Sequence, residues 1–237
     1  MENALYLIPV TLGETEISKV LPSYNHDIIV GIKHFIVENI RSARRFLKKV
    51  EKSIDIDELT FYELNNHTDK KIIGSYLEPL LAGKPVGVIS EAGCPAVADP
   101  GADVVAIAQS KNLKVIPLVG PSSIIMSVMA SGFNGQSFAF NGYLPVENVQ
   151  RVKALKKLEN KIYNENQTQL LIETPYRNLK MLETILHNLR PQTKLCIAAG
   201  ITTAQEFICT KTVEQWKKNP PPQTSLEKIP SIFLLYK

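Results

Sequence analysis

Short apolar runs alternate with amphipathic segments through the first half of the chain. Residues 4–10, 26–31, 60–64, 86–90 and 114–118 are strand-like, and 41–52, 69–82 and 102–111 carry helical spacing. Within 41–52, Ala43, Phe46, Leu47 and Val50 fall on one helical face, with Arg41, Arg44, Arg45, Lys48 and Lys52 opposite. Such a βαβα rhythm predicts a mostly parallel sheet with helices on its faces.

After Gly120 the rhythm changes. Helices are expected over 122–130, 150–160 and 177–189, and strands over 137–142, 168–173, 193–199, 206–210 and 229–236. The last three strands are expected to be antiparallel in part, which predicts a mixed sheet. The reading is therefore α/β, with two α/β domains: residues 1–118 around a mostly parallel sheet and 119–237 around a mixed one. A ligand cleft is expected between them.

Composition narrows the class. In 237 residues, 44% are hydrophobic and 21% charged, as in ordinary globular proteins. No segment reaches the roughly 18 uninterrupted apolar residues that a membrane helix needs. The beginning, Met1-Glu2-Asn3-Ala4-Leu5, lacks the basic start of a signal peptide and reads as the first strand. A cytoplasmic protein without membrane attachment is expected. Cys94, Cys196 and Cys209 are isolated, and His26, His34, His67 and His187 have no ligand spacing, so no metal site is expected. The net charge of +4 is unevenly placed: residues 1–120 hold 13 basic and 15 acidic side chains, and 121–237 hold 14 and 8. Besides the basic face of 41–52, Lys153, Lys156 and Lys157 lie opposite Val152, Leu155 and Leu158. A solvated outer face explains either row; an RNA footprint is the sharper alternative.

The chemistry concentrates in the loops that follow strands. No G-x-G-x-x-G follows a strand, which leaves ordinary dinucleotide binding unsupported. Segment 86–101 (VGVISEAGCPAVADPG) is instead a buried strand, a loop of small residues and prolines, and a helix start, with carboxylates at Glu91 and Asp99. Small residues there let main chain approach a ligand closely. Pro117-Leu118-Val119-Gly120-Pro121-Ser122-Ser123, Asn141-Gly142-Tyr143-Leu144-Pro145 and Glu173-Thr174-Pro175-Tyr176-Arg177 follow three further strands.

Taken together and in this order, these motifs resemble the tetrapyrrole methylase superfamily of S-adenosylmethionine-dependent methyltransferases. The branch they are most similar to is the bacterial small-subunit ribosomal RNA (cytidine) ribose 2′-O-methyltransferases. The resemblance runs from Leu5 to about Lys211. It implies a cofactor pocket lined by Ala92, Gly93, Cys94, Val97, Ser122 and Ser123, closed by Leu144, Glu173 and Ala199, and it implies a homodimer. Simple N-capping is the alternative for Ser122 and Ser123. Valine at position 93 is expected to block the cofactor while leaving the fold intact.

Methyl transfer to a hydroxyl is an in-line displacement that a positioned base assists. Glu91, Asp99 and Glu173 are the candidate bases. The bland alternatives are that Asp99 caps the helix starting near Ala102 and that Glu173 holds Arg177.

Departures from the family pattern fall on the substrate side. The P-I-G-N loop is replaced by Val10-Thr11-Leu12-Gly13-Glu14, and E-D-T-R by Glu38-Asn39-Ile40-Arg41. S-D-A-G-T-P becomes Ser90-Glu91-Ala92-Gly93-Cys94-Pro95, and A-R-E-L-T-K becomes Ala198-Ala199-Gly200-Ile201-Thr202-Thr203. The expected function is methylation of a ribosomal RNA ribose. Methylation of a tetrapyrrole-like small molecule and non-catalytic binding of S-adenosylmethionine are the rivals.

Overall fold

The computed structural model describes all 237 residues, which form two compact units, Met1–Ser122 and Ser123–Lys237. In the first unit, strands β1 (Leu5–Ile8), β2 (His34–Val37), β3 (Thr60–Glu63), β4 (Val86–Ile89) and β5 (Val115–Pro117) make one sheet, ordered β3-β2-β4-β1-β5. Every neighbouring pair is parallel. Helices α1 (Ser23–Gly31), α2 (Ile40–Val50), α3 (Glu78–Leu81) and α4 (Ala102–Ser110) complete it.

Alternation along the strands divides the core. Tyr6, Ile8, Phe35, Val37 and Ile89 pack with Ile28, Ile29, Phe46 and Leu47. Leu5, Ile36, Val86 and Val88 pack with Ile73, Leu77, Val104 and Ala108. Period-2 side chains covered on both sides are what a central parallel sheet requires.

The second unit contains β6 (Phe138–Tyr143), β7 (Thr168–Glu173), β8 (Lys194–Ala199), β9 (Phe207–Thr212) and β10 (Ser231–Tyr236), ordered β6-β7-β10-β8-β9. Only β6 and β7 are parallel; the other pairs are antiparallel. Helices α5 (Ser123–Ser131), α6 (Asn148–Glu165), α7 (Asn178–Asn188) and α8 (Val213–Lys218) accompany the sheet. Its main core joins Leu155, Ile162, Met181 and Ile185 to Leu171, Leu195, Ile197, Trp216 and Phe233. Trp216 Nε1 donates to Leu195 O at 2.9 Å, so the buried indole is satisfied. No helix is long and apolar enough to cross a membrane.

Three sequence expectations are corrected. Residues 26–31 are not a strand but belong to α1, while the strand of that region is β2. The β-branched run Ile28-Ile29-Val30 suggested extension. Burial instead follows Asn25, Ile28, Ile29 and Ile32, a helical period that packing rewards over propensity. Segment 69–82 is not one helix: a 3₁₀ turn over Ile73–Leu77 precedes the single turn of α3, with Gly74 and Pro79 interrupting the spacing. Helix α8 was not expected; its start is a capping box in which Gln215 N donates to Thr212 Oγ1 and Thr212 N donates to Gln215 Oε1.

Candidate active site

Because all five strands of the first unit run the same way, their carboxyl ends share one edge. Register places Ile8 and Val37 on either side of Ile89. Pro9, Glu38 and Ser90 are the next residues of their strands, at the rim of a parallel sheet where α/β proteins commonly bind ligands.

Three loops are tied together at that rim. Val10 N donates to Gly93 O at 2.9 Å, and Ser90 Oγ donates to the same carbonyl at 3.2 Å. Asn25 Nδ2 donates to Val119 O at 2.8 Å, and Cys94 Sγ lies 3.5 Å from Pro121 O. Segment 119–122 therefore belongs with the first unit's loops. Gly120 approaches Pro9 so closely that a Cβ there would lie 2.2 Å from Pro9 Cγ.

Gly93 has φ +73°, and a Cβ on it would meet Leu12 Cδ2 at 3.1 Å and Pro121 O at 3.3 Å. It fills a slot within the protein itself. The expectation that valine at 93 would act only through ligand approach is thus corrected: it would also strain the loop. Ala96 (φ +65°) and Ala98 (φ +60°) occupy the same left-handed region. Such backbone persists only where its surroundings over-determine it. Ala92 is exposed, Cys94 is half-buried, and Val97 is 51% exposed. Burial pushes the Cys94 thiol up, so it stays neutral and is a poor nucleophile.

The carboxylates converge more than sequence reasoning indicated. Burial, then Glu91, raises the Asp99 carboxyl, against a lowering hydrogen bond from Ser90. Burial, then Asp99 and Glu91, raises Glu38. Three acids from two loops thus feel one another, although they form no metal-ligand set. Glu91 is exposed, and Ser42 Oγ donates to its Oε1 at 2.5 Å. Ser42 belongs to the first turn of α2, whose cap Asn39 accepts from Arg41 N and Ser42 N through Oδ1.

Glu38, Asn39 and Ser42 were not among the sequence candidates. Their signal was the altered E-D-T-R stretch, which had been read only as a departure. Asp99 does not cap α4: the cap position is Gly101, with no side-chain bond.

In the second unit, Ser231 pairs with Glu173 on one side and Ala199 on the other. Tyr143 pairs with Ile172, which puts Leu144 at the same end of the sheet. Ala199 is fully buried and Leu144 nearly so, both within the unit's core, so main chain is what these two can present. Glu173 is 3% exposed, and its Oε1 accepts from Arg177 Nη2 at 2.6 Å, Arg177 Nε at 3.0 Å and Thr174 N at 2.7 Å. Every contact found at that oxygen is structural, which fits the bland alternative for this residue. Ser122 ends the first unit and Ser123 opens α5, both half-buried.

No family model matches the chain. Among its sequence relatives are proteins called ribosomal RNA small subunit methyltransferase I. The Vibrio cholerae protein is 28% identical over 204 residues, 86% of this chain and 67% of that protein. The Haemophilus influenzae protein is 30% identical over 172 residues, 71% and 59% of the respective chains. The Thermotoga maritima protein is 34% identical over 151 residues, 63% and 65%. The chain spans about three fifths to two thirds of the length of these curated relatives.

Among solved structures, the methyltransferase CobJ superposes with a TM-score of 0.62 at 12% identity, covering 99% of both chains. Uroporphyrin-III C-methyl transferase from Thermus thermophilus, complexed with S-adenyl homocysteine, gives 0.57 at 14% identity, with 99% and 97% covered. A sheet of five parallel strands in one unit and a mixed sheet of five in the other make a fold that the chain shares with these methyltransferase structures.

Proposed function

We propose that the chain is an S-adenosylmethionine-dependent methyltransferase acting on a ribose 2′-hydroxyl of ribosomal RNA. The observation that carries this reading is the β4 rim, where an exposed Ala92 follows an anchored Glu91 and a main-chain turn is tied to Val10. The names of the sequence relatives supply the RNA.

The residues present suit the cofactor. On the first unit, Ala92, Gly93, Cys94, Val97 and Ser122 would hold it. When bound, it supplies a methyl group activated by its sulfonium. Ala92 is exposed and carries only a methyl side chain, and Leu12 packs behind Gly93.

Glu91 is the base we assign to the hydroxyl proton, since it is exposed and held by Ser42. Burial disfavours the ionised forms of Asp99 and Glu38, and a cation nearby would favour them. Holding oxygen and methyl carbon in near-attack geometry supplies most of the acceleration, up to about 7–11 kcal/mol in well-oriented systems. The resemblance carries one further expectation, a homodimer, which sedimentation of the purified chain tests; a cytoplasmic location is the expectation from composition.

One observation favours a second reading, methylation of a small molecule. Where the ribosomal RNA pattern has arginine, glutamate and lysine, the chain has a turn closed on itself: Gly200 has φ +57°, and Thr203 Oγ1 donates to Gly200 O at 2.7 Å. Methyl-labelled S-adenosylmethionine, incubated with RNA and with a metabolite extract from cells lacking the protein, separates the readings. Label in small-subunit RNA is expected. Label only in the metabolite fraction would replace that substrate, and tight binding with no label anywhere would leave a non-catalytic binder.

A further inference from the structure

We propose that the exposed face of α2 is the surface on which the RNA strand lies, leading it to Glu91; this rests on the RNA reading above. Arg41, Arg44, Arg45 and Lys48 project within an arc of about 100° on a helix, and Lys52 continues the row past the helix end. All five are exposed, while Ala43, Phe46 and Leu47 on the opposite side are buried.

None of the five makes an ion pair, and four carboxylates of this unit have other partners. Glu14 binds Lys49 at 3.0 Å, Glu51 meets His26 at 3.3 Å, Glu58 holds Lys33 at 2.7 Å, and Glu91 accepts from Ser42. A solvated face usually intersperses both signs; this one keeps a single sign.

The stems are also arranged along the face. Arg45 Nε donates to Arg41 O at 3.4 Å, and Lys48 Nζ donates to Lys52 O at 3.0 Å. Arg44 lies over the Phe61 ring, 5.5 Å from its centroid. A guanidinium supported on an aromatic face keeps its edge N–H groups for a phosphate.

From Arg41 to Lys48 the row covers about 10 Å, room for two or three phosphates of a strand. Its first turn holds Ser42, so the row begins where the assigned base is anchored. The other basic row, on α6, differs. Lys156 lies 3.9 Å from the buried Glu159, and Arg151 is itself buried, donating to Val146 O and Asn148 Oδ1.

The test compares R45Q/K48Q/K52Q with K153Q/K157Q in the full chain, leaving Arg44 on Phe61 and Arg41 beside the site. The probe is small-subunit ribosomal RNA from cells lacking the protein, bound across a series of salt concentrations. S-adenosylmethionine affinity and thermal midpoint are measured alongside. For the α2 variant the slope of log affinity against log salt should fall by about 1–2, since each phosphate contributes about 0.7 on a single strand. RNA affinity should fall at least tenfold at low salt, with cofactor affinity and midpoint unchanged.

Unchanged RNA binding by the α2 variant, or an equal loss from the α6 variant, overturns the assignment while leaving the RNA reading in place. Wild-type protein that binds this RNA without salt dependence, or not at all, overturns both.

Discussion

Ser42 and Glu91 meet over 2.5 Å although 49 positions separate them in sequence. Ser42 is fixed by the cap of α2 and Glu91 follows β4, so the contact joins the helix after one strand to the loop after its neighbour. Removing the hydroxyl by Ser42→Ala should cost about 1 kcal/mol of stability. If it holds the base in place, turnover should fall up to about 100-fold with cofactor affinity intact, and Ser42→Thr should restore much of it. A stability loss with unaltered turnover would make the contact purely structural.

The β4 loop separates folding from binding at adjacent positions. Gly93→Val should destabilise the first unit by about 1–2 kcal/mol or more, because a β-branched residue is forced into the left-handed region and crowds Leu12 and Pro121. Ala92→Leu points elsewhere: the position is exposed, so stability should move by no more than about 0.5 kcal/mol. Calorimetric affinity for S-adenosylmethionine should nevertheless drop at least tenfold. Full affinity in the Ala92 variant would remove this loop from the pocket.

Some of this is legible in the sequence. The loop after β4 advertises itself because glycine, proline and alanine cluster between a buried strand and a helix, and the local sequence determines what can approach it. The convergence of Glu38 on Asp99 does not, since it depends on β2 lying directly beside β4, an order set by the sheet rather than by the chain. Helix α1 was hidden by its own isoleucines, whose strand propensity masked a helical burial period. The ownership of the basic rows was hidden similarly. Charge totals favoured the second half, but whether a lysine is spent depends on which carboxylate folding brings to it.

Asp99 should carry a cost when ionised. Burial and Glu91 raise its folded value above the unfolded one, so its contribution favours the folded state at low pH and is lost as pH rises through the folded value. Asp99→Asn should therefore raise the denaturation midpoint at pH 7, with the gain vanishing below about pH 3, where both forms are protonated. A lower midpoint at pH 7 would mean that the bond to Ser90 outweighs burial.

Glu173 tests whether a buried carboxylate in the second unit works chemically or structurally. Its Oε1 gathers two bonds from Arg177 and one from Thr174 N. Glu173→Gln keeps an acceptor but removes the charge, and should cost about 1.5–3 kcal/mol, the usual range for charged hydrogen bonds. Urea denaturation followed by a probe in this unit, such as Trp216 fluorescence, reads it directly. Unchanged stability with turnover abolished would return Glu173 to the list of bases.

The end of α2 supplies a pH-dependent contact close to the basic row. His26 is raised above its ordinary value by Asp27 first and then by Glu51. Glu51 is lowered to about 2, chiefly by Ser53 and then by His26. With its folded value raised, His26 contributes stability that is fully present below about pH 6.5 and is lost as pH rises through the folded value. Glu51→Gln should lower the imidazole titration followed by proton NMR, yet leave it above the ordinary value because Asp27 Oδ1 remains 3.2 Å from Nδ1. The stability difference between wild type and variant should be largest below pH 6 and shrink above it. An unmoved titration would show that Asp27 alone holds the proton, and Glu51 would then be free to face the cations of α2.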